Sequence, residues 1–490
     1  MGCFTCEEMR FLEKRVFKMG VTPEALMDKA GLGIADAIRR RYPVPGEAIA
    51  CIGRGNNGGD ALVALKHLVQ AGWIISVRCG VESNHLHALP RKKWRELDVI
   101  NNDRSSLPLG PRIVLDGLLG IGASGPLRGS IAEAAGWINT QRGCPNTCVI
   151  AMDIPTGING NSGVPCKGAV IADLTLTVGI CKRGLLMPAA VNHTGNIETV
   201  LIDELQIPKD GELCLNDVHS LRGLLPHRPH DFHKGNAGRV GLLAGSRGML
   251  GAAVLCSSAA LRAGAGLVTL FCEKNIYPLI APMLPPEVML QPVNSLTEIE
   301  VDQFDVFALG PGMGIRTWKD GEYLSLLKRI TGPLIVDADG LSIIASSGVD
   351  CYLRSGMVIT PHPGEMQRLF PDLTDMSRLE SVSHFAKQFP DVCLLLKGAH
   401  SLITHRSSLV YVNGTGHAGM AGGGQGDVLT GALAALMGQG LKSLEASRMA
   451  AWLCGRSAEL AITRDLESTE SILPSDVIRY FGIAFRELTR

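Results

Sequence analysis

The sequence predicts an α/β protein with two tandem domains, each built on a parallel sheet covered by helices. Both halves alternate short apolar runs, rich in β-branched residues, with segments of helical periodicity, a pattern typical of such sheets. The chain has 490 residues, of which 46% are hydrophobic and 5% are aromatic, so two large aliphatic cores are expected. The 58 glycines indicate many tight turns and close approaches of the backbone to ligands.

Five strands are predicted in the first half, and a helix precedes them. That helix begins at Pro23, because Thr22 is a good N-cap and proline is favoured at the first helical position. A second, amphipathic helix is predicted over residues 60–71. The five strands are 48–53, 73–79, 112–117, 149–154 and 174–179.

The second half is predicted to contain seven parallel strands followed by long helices from Val428 onward. The segment 207–214 separates the halves; it contains proline, glycine and charged residues and is predicted to start no strand. We therefore place one domain at residues 1–213 and the other at residues 214–490. The seven strands are 240–245, 267–272, 306–310, 334–339, 357–361, 392–398 and 408–414.

The charge balance argues against a nucleic-acid-binding protein that relies on a basic surface. Lys plus Arg and Asp plus Glu both number 47, so the formal net charge is zero. The longest uncharged aliphatic stretch, 248–261, is shorter than the ~20 residues that a membrane-spanning helix needs. The first ten residues are polar, unlike a signal peptide. We expect a cytoplasmic protein that binds neither nucleic acid nor a membrane.

The first chemical motif is a glycine-rich turn between the first predicted strand and a helix. Gly53, Gly55 and Gly58 have the spacing of a dinucleotide-binding fingerprint. The turn also contains two asparagines and Asp60, whose oxygens suit a cation or hydroxyl groups. The alternative is an Asx-rich turn that only caps a helix.

Two further predicted strands lead from an acidic residue into a glycine-rich or proline-containing loop. Asp116 precedes the loop 117–126, and Asp153 precedes Ile-Pro-Thr156-Gly157. Because the carboxyl ends of parallel strands meet at one crevice of a doubly wound sheet, we expect the three loops to converge. Their oxygens would suit a cation, and their backbone N–H groups would suit a phosphate.

Taken together, NNGGD at 56–60, the Asp116 loop and DIPTG at 153–157 resemble the N-terminal NAD(P)H-hydrate epimerase domain, a Rossmann-like doubly wound fold, over residues 1–213. The resemblance implies that Asn57, Asp116 and Thr156 bind a potassium ion and that Asp153 is catalytic. It also implies a binding site for the damaged cofactor. That site would be lined by Asn56, Asn57, Gly58, Gly59, Asp60, Gly120, Ile121, Gly122, Ala123, Ser124, Gly125 and Pro126.

Two residues depart from that family's pattern. Ala61 replaces a glycine and Thr156 replaces a serine. Threonine keeps the hydroxyl group, so we expect the cation site to survive. The substrate of such an epimerase carries a hydroxyl group on carbon 6 of a reduced nicotinamide ring. Its inversion needs a general acid or base, and we assign that role to Asp153 from the resemblance and from its position at a strand end.

The strongest motif of the second half is Gly419-Met-Ala-Gly-Gly-Gly-Gln-Gly426-Asp427, which precedes a helix. Backbone N–H groups of the turn and the positive end of the helix would form an anion hole. Asp427 would repel a phosphate there unless it acts as the general base on an attacking hydroxyl group. The alternative is a flexible loop before an ordinary helix N-cap.

This loop resembles the anion hole and base of ribokinase-like sugar and vitamin kinases. From about residue 219 onward, the chain more narrowly resembles ADP- or ATP-dependent NAD(P)H-hydrate dehydratases, with Gly310-Pro-Gly312-Met-Gly314, Asp337-Ala-Asp339, Thr360-Pro-His-Pro-Gly-Glu365 and Leu396-Lys-Gly-Ala399 as further motifs. The resemblance implies a magnesium ion with the nucleotide. Residues that would face the hydrate are Ala253, Gly312, His362 and Asp427. Residues that would contact the adenine nucleotide are Lys397, Gly398, Ala399, His400, Ser401 and Gly426.

This half also departs from its family pattern. His417 and Ala418 replace an Asn-Pro pair, and Gly422 and Gln425 replace hydroxyl residues. We expect these changes to affect nucleotide affinity more than the type of reaction. A structural role for His362 is the alternative to a ligand role.

The combined hypothesis is a bifunctional repair enzyme. The first domain would interconvert the R and S epimers of hydrated NAD(P)H. The second would phosphorylate the S epimer and release phosphate to restore NAD(P)H. The alternative is a kinase of a small vitamin-type alcohol with a non-catalytic N-terminal binding domain. The resemblance further implies a homo-oligomer and favours ADP. The preference for NADH hydrate or NADPH hydrate is left open.

Overall fold

The chain folds into two units, Met1–Asp217 and Val218–Arg490. The computed structural model describes residues 2–98, 110–123, 125–205, 211–318, 321–406, 409–464 and 467–489. Ser124, residues 207–210 of the predicted boundary segment and the first residue of the predicted strand 408–414 lie outside the described residues.

A parallel six-stranded sheet forms the centre of unit 1, in the order β2-β1-β3-β4-β5-β6. This confirms the predicted doubly wound fold, and it adds β6, which the sequence analysis missed. The strands are β1 Glu47–Ile52, β2 Ile74–Cys79, β3 Arg112–Gly117, β4 Thr147–Met152, β5 Leu174–Val178 and β6 Asn196–Val200.

Helices cover both faces of this sheet. Ala48, Ala50 and Ile52 of β1 face a core shared with α2 and α3, while Cys51 between them faces a core shared with α5. This two-sided burial explains why the strands are continuous apolar runs rather than alternating ones. The helices of unit 1 are α1 Cys6–Lys18, α2 Pro23–Arg41, α3 Asn56–Gln70, α4 Ala88–Asp98, α5 Gly129–Gln141 and α6 Val191–Thr194.

Helix α3 begins at Asn56, so the prediction of a start at residue 60 was wrong. The NNGGD motif is helical rather than part of the preceding turn. Gly55 is its N-cap residue and makes no side-chain cap. The two asparagines and Asp60 of this motif therefore lie in the first turns of α3.

Unit 1 ends at Asp217 and unit 2 begins at Val218, close to the predicted domain boundary between residues 213 and 214. Strand β7, Leu213–Asn216, begins within the segment that was predicted to start no strand, so that prediction was wrong. All four of its residues are buried, and the Leu213 carbonyl accepts a 2.9 Å hydrogen bond from the Cys3 amide. Burial of Leu213–Asn216 therefore stabilises a strand here, although the residues just before it favour a turn.

Nine strands pair in the sheet of unit 2, in the order β10-β9-β8-β11-β12-β13-β14-β15-β16. The pairing is parallel from β10 to β14, as predicted, but β15 and β16 are antiparallel. Strands β10 and β15 were not predicted. The strands are β8 Arg239–Leu243, β9 Leu267–Glu273, β10 Val288–Val293, β11 Val306–Leu309, β12 Leu334–Val336, β13 Met357–Ile359, β14 Cys393–Leu396, β15 Leu402–Thr404 and β16 Val410–Asn413.

The main core of unit 2 surrounds α14, which is buried on all sides from Val428 to Met437. A helix that is apolar all round is expected in the centre of a large core. The helices of unit 2 are α7 Val218–Leu221, α8 Leu250–Arg262, α9 Tyr277–Ile280, α10 Glu322–Arg329, α11 Ala338–Ser347, α12 Pro363–Leu369, α13 Arg378–Gln388, α14 Gln425–Gly438, α15 Ser443–Arg464 and α16 Pro474–Thr489.

Several predicted strands end early, because a helix or a loop starts at their polar residues. The predicted strand 334–339 stops at Val336, and Asp337 is the N-cap residue of α11. The predicted strand 392–398 likewise stops at Leu396. None of the helices in the described part of the chain is long and apolar enough to cross a membrane.

Two helix glycines provide a matched test of this packing. A Cβ atom on Gly431 of α14 would lie 2.1 Å from the Cys256 carbonyl of α8, whereas one on Gly482 of α16 would meet nothing within 4 Å. We expect Gly431→Ala to destabilise the protein by about 1–3 kcal/mol through overpacking. Gly482→Ala should stabilise it by about 0.5–1 kcal/mol through helix propensity. Urea denaturation of both variants measures this; equal effects of the two substitutions would contradict the close approach of α8 and α14.

Candidate active sites

The first candidate site lies where β1, β3 and β4 end. These strands are neighbours in the sheet, which confirms the prediction that their carboxyl ends converge. The turn after β1 packs tightly here: a Cβ atom on Gly53 would lie 1.9 Å from the Leu118 carbonyl. Glycine at position 53 therefore lets the β1–α3 turn approach the loop that follows β3.

Hydrogen bonds connect the three predicted cation ligands. The Thr156 amide and hydroxyl groups each donate to the Asp116 carboxylate at 2.7 Å. The Thr156 hydroxyl accepts from the Leu119 amide at 3.1 Å, and the Leu119 carbonyl accepts from the Asn57 side chain at 3.0 Å. The structure thus brings Asn57, Asp116 and Thr156 together, although their sequence positions span a hundred residues.

Asp116 is fully buried, and burial raises its pKa to about 6. Its hydrogen bonds with Thr156 and with the Leu118 amide oppose this rise. Among the described residues it forms no ion pair. A buried carboxylate without a countercharge is costly, so this position favours a bound cation when the carboxylate is ionised.

Asp153, which follows β4, forms a buried ion pair that the sequence analysis missed. The Lys182 ammonium donates to its Oδ1 atom, and the Val178 amide donates to the same atom at 3.0 Å. Lys182 is only 1% exposed, and it also donates to the Val178 carbonyl at 2.7 Å. Asp153 has a φ angle of +66°, an uncommon conformation for a residue other than glycine. The only sequence signal was a lysine within the apolar segment that follows β5.

Two more carboxyl groups face this ion pair. Burial and the charge of Asp153 raise the pKa of Asp60 on α3 well above its usual value. The same two causes, in the same order, raise the pKa of Glu13 on α1. Two carboxyl groups with raised pKa values thus accompany the ion pair of Asp153 and Lys182. Such a group of carboxyl side chains in different environments suits acid–base chemistry.

The predicted loop 120–126 lines a cleft of about 490 Å³ beside the cation ligands. The Arg128 side chain brings a positive charge to this cleft, and Gly157 and Cys166 line its other wall. Asn56 to Asp60 lie at the start of α3 and are not among the residues that line the cleft, although Asn57 lies against the lining residue Gly120. The lining includes Gly120, Ala123, Gly125 and Pro126; Ser124 is outside the described residues.

The second candidate site lies at the start of α14 in unit 2. Gly424 precedes the helix with a φ of +95°, a conformation that favours glycine. A Cβ atom on Gly422 or Gly423 would meet nothing within 4 Å, so this turn borders open space. Free N–H groups at a helix start that borders open space can bind an anion.

Lys397, immediately after β14, lies beside this turn. Its ammonium group is 2.7 Å from Oδ1 of Asp337 and 3.7 Å from Oε2 of Glu365. A Cβ atom on Gly426 would lie 3.5 Å from the same ammonium group. Lys397 is 19% exposed, so it keeps some access to a ligand above the turn.

Asp427 lies in the first turn of α14 and faces two other carboxylates. Burial, followed by the charge of Asp337, raises its pKa to about 6, and Asp339 contributes to the rise. The charge of Lys397 opposes this shift. An aspartate with a pKa near 6 is a stronger base than an ordinary one and is largely ionised at neutral pH.

Comparison with known proteins identifies the family. A family model described as NAD(P)H-hydrate dehydratase matches residues 240–480, and one described as YjeF-related protein N-terminus matches residues 23–184. The bifunctional NAD(P)H-hydrate repair enzyme of Thermofilum pendens is 32% identical over 485 residues, covering 93% of this chain and 91% of that protein. The chain belongs to this family. The enzyme of the same name from Moorella thermoacetica is 31% identical and covers 100% of this chain and 97% of its own.

A solved structure is also similar to part of the chain. The ADP/ATP-dependent NAD(P)H-hydrate dehydratase of Bacillus subtilis, co-crystallised with ATP and Mg²⁺, is 27% identical. The match covers 56% of this chain and 98% of that chain, with a TM-score of 0.48.

Membership in the repair family confirms the resemblance stated from the motifs; the roles of individual residues stay predictions. His362 caps α12, because its Nδ1 atom accepts from the Gly364 amide at 3.0 Å. Its side chain is still 51% exposed, and its Nε2 atom lies 3.5 Å from Oε1 of Glu365. Ala253 is fully buried and packs toward Gly245, and Gly312 lies against Met249 and Ala252 of the neighbouring segment.

The predicted nucleotide segment 397–401 connects β14 to β15. The Arg378 guanidinium of α13 braces it by donating to the Ala399 carbonyl at 2.8 Å and to the Lys397 carbonyl at 3.4 Å. His400 has a positive φ of +51°, and the Ser401 hydroxyl donates to the Gly398 carbonyl at 3.1 Å. The segment is therefore held in a defined bend beside Lys397.

The family departures have local consequences. The Nδ1 atom of His417 accepts from the Gly419 amide at 3.2 Å and caps a short 3₁₀ turn, Ala418–Met420. The side-chain amide of Gln425 is buried, and neither of its polar atoms has a partner among the described residues. The glycine-rich loop therefore begins with a capped 3₁₀ turn. At Gln425, the last of the substituted positions, the side-chain amide makes no hydrogen bond with the described residues.

The buried ion pair in unit 1 gives a stability prediction. Lys182→Met leaves Asp153 without its buried countercharge, and breaking such a pair costs about 3–5 kcal/mol. Lys182→Met combined with Asp153→Leu removes both charges and should recover most of that loss. Scanning calorimetry of the full chain measures both variants. Wild-type stability of the single variant would contradict the ion pair.

Proposed function

We propose that unit 1 of this chain interconverts the R and S epimers of hydrated NAD(P)H, and that unit 2 dehydrates the S epimer to NAD(P)H at the expense of an adenine nucleotide. Family membership over nearly the whole chain supports both activities. The structural observation that supports the proposal is a lysine near each proposed aspartate: Lys182 forms an ion pair with Asp153, and the charge of Lys397 acts on Asp427.

In unit 1, Asp153 would exchange a proton with the hydroxyl group on carbon 6 of the hydrate. With a proton from this carboxyl group, the hydroxyl group would leave as water, assisted by the ring nitrogen. The carboxylate would then take a proton from the water that adds to the other face, which inverts the centre. Lys182 fixes the orientation of Asp153 by donating to its Oδ1 atom. Both directions of the exchange use the same carboxyl group, as microscopic reversibility requires.

In unit 2, Asp427 would take the proton of the carbon-6 hydroxyl group while that oxygen attacks the terminal phosphorus of the nucleotide. The N–H groups at the start of α14 would stabilise the transferring phosphoryl group, with Lys397 close by. The phosphate ester is a better leaving group than hydroxide. The ring nitrogen expels it, and loss of a proton from carbon 5 restores the dihydronicotinamide.

A potassium ion fits the chemistry of the first site. Asn57, Asp116 and Thr156 supply oxygen donors, and the buried Asp116 carboxylate lacks a countercharge among the described residues. A bound monovalent cation would supply that charge and hold the loops after β1, β3 and β4 together. No proton transfer needs to pass through it.

An adenine nucleotide with magnesium fits the second site. The open space above Gly422 and Gly423 and the nearby Lys397 ammonium form a cradle for phosphate groups. Segment 397–401 and Gly426 would contact the nucleotide, and Ala253, Gly312 and His362 would contact the hydrate. We propose ADP as the preferred nucleotide, and the magnesium ion would offset phosphate charge.

Further parts of the proposal concern the chain as a whole. We propose the two domains at 1–213 and 214–490 as the epimerase and the dehydratase, a homo-oligomeric assembly, a cytoplasmic location, and no binding of nucleic acid or membranes. The names of the curated relatives do not favour the alternative of a vitamin-type alcohol kinase. A kinase would also release a stable phosphorylated product.

The test separates the two units with one substitution in each. Asp153→Asn should lower enzyme-catalysed exchange of purified R hydrate to the spontaneous rate while dehydration of S hydrate continues. Asp427→Asn should lower the rate of dehydration about 10²-fold or more and leave the rate of epimer exchange unchanged. Chromatography of the epimers follows exchange, and nicotinamide absorbance follows dehydration. Loss of both activities in either variant, or of neither, would refute the assignment.

The raised pKa of Asp427 sets the pH dependence of dehydration. A general base must be ionised, so the rate should be constant above its pKa of about 6 and fall about tenfold per pH unit below it. An ordinary aspartate would place this fall near pH 4. Initial rates with saturating S hydrate, nucleotide and magnesium from pH 4.5 to 8 check this. A flat profile down to pH 4.5 would exclude Asp427 as the base at its raised pKa.

A further inference from the structure

Asp337 is the most heavily hydrogen-bonded carboxylate at the second site, and the mechanism above gives it no role. It follows β12, caps α11 and is only 1% exposed. Its Oδ1 atom accepts from the Lys397 ammonium at 2.7 Å and from the Ala338 amide at 2.9 Å. Its Oδ2 atom accepts from the Thr430 hydroxyl at 2.8 Å. Both oxygens are therefore used within the protein.

These hydrogen bonds connect three elements whose relative positions matter for the proposed phosphoryl transfer. Asp337 is at the end of β12, Lys397 is at the end of β14, and Thr430 is on α14, one turn after Asp427. Thr430 is fully buried, so the loss of its partner would leave a buried hydroxyl group unsatisfied. A Cβ atom on Gly426 would lie 3.7 Å from Asp337 Oδ2, which places the carboxylate directly under the turn that precedes Asp427.

Asp337 and Asp427 differ in how they are held. Asp337 is enclosed and committed to three donors, so a substrate cannot reach it. Asp427 is less buried and accepts no hydrogen bond from any described residue, so its oxygens are available. Asp337 is therefore suited to supporting the site, and Asp427 is suited to reacting with a substrate.

We propose that Asp337 is a positioning residue for phosphoryl transfer, fixing the Lys397 ammonium and the first turns of α14 relative to each other. Lys397 and the N–H groups of α14 then meet the phosphoryl group at a set distance from the Asp427 base. This inference rests on the proposed dehydratase activity of unit 2. It concerns a residue that would touch neither hydrate nor nucleotide.

The charge of Asp337 gives the proposal a second, independent consequence. The groups that face Asp427 are Asp337 at the end of β12, Asp339 on α11, Lys397 after β14 and Cys256 on α8. The two carboxylates raise its pKa and the lysine lowers it. Neutralising Asp337 should therefore move the acid limb of the rate profile to lower pH, which a purely structural residue would not do.

Four variants of the full chain test this with S hydrate of NADH, magnesium and a saturating nucleotide. Asp337→Asn should lower kcat at least tenfold, raise KM for the nucleotide and shift the acid limb to lower pH. Thr430→Val removes one bond but no charge, so kcat should fall about tenfold with the limb in place. Thr430→Ser keeps the hydroxyl group and should retain most activity. Exposed Asp350→Asn is the control for a surface acid.

The outcomes are separable. The proposal is overturned if Asp337→Asn keeps the wild-type kcat. It is also overturned if the acid limb of Asp337→Asn stays at the wild-type pH and Thr430→Val has the same kcat as Thr430→Ser. Should Asp337→Asn fail to fold, the comparison of Thr430→Val with Thr430→Ser decides alone, and equality of the two contradicts the proposal. A wild-type chain that dehydrates no hydrate refutes the proposed function instead, whatever the variants do.

Discussion

In each unit a lysine ammonium lies against the carboxylate that follows a parallel strand: Lys182 against Asp153, and Lys397 against Asp337. Taking a charge out of water costs free energy that only a well-placed opposite charge and further hydrogen bonds can offset. Both lysines have such partners, and Lys397 also lies next to Gly426 at the start of α14. The surrounding loops must therefore keep their positions for the charge pairs to remain satisfied.

The two units use this pair in different ways. In unit 1 the paired carboxylate is the one assigned to chemistry, and its carboxyl neighbours Asp60 and Glu13 are driven toward protonation. In unit 2 the paired carboxylate is Asp337, which is buried, and the proposed base is a second carboxylate, Asp427. The first arrangement suits reversible proton exchange. The second suits transfer of an anionic group, because the lysine and the start of α14 face it together.

Parallel sheet topology explains why both sites form where they do. Strand ends that are neighbours in the sheet bring residues from distant parts of the sequence to one edge, as with Asn57, Asp116 and Thr156. The helix that follows supplies free N–H groups at the same edge. The buried strands and α14 fix these positions, so the loops can carry polar residues without weakening the core.

Much of this was predictable from local sequence, and the rest depended on contacts between distant residues. Apolar runs predicted most strands of both sheets, and the acidic and glycine-rich motifs of the first half predicted which of its strand ends converge. Strands β10 and β15 were missed, because they are short or mostly solvent-facing and lack a continuous apolar run. Lys182 was missed because nothing in its segment reveals that Asp153 lies against it. The start of α3 was misplaced because asparagine and glycine ordinarily indicate a turn.

Recovery of reduced nicotinamide absorbance from a mixture of R and S hydrate tests most directly whether both units are catalytic. The wild-type chain would be supplied with potassium, magnesium and either ADP or ATP. Two cooperating units predict recovery of both epimers, faster than their spontaneous exchange, with at least one of the two nucleotides. Recovery that stops at the S fraction would contradict catalysis by unit 1, and no recovery with either nucleotide would contradict the account of unit 2.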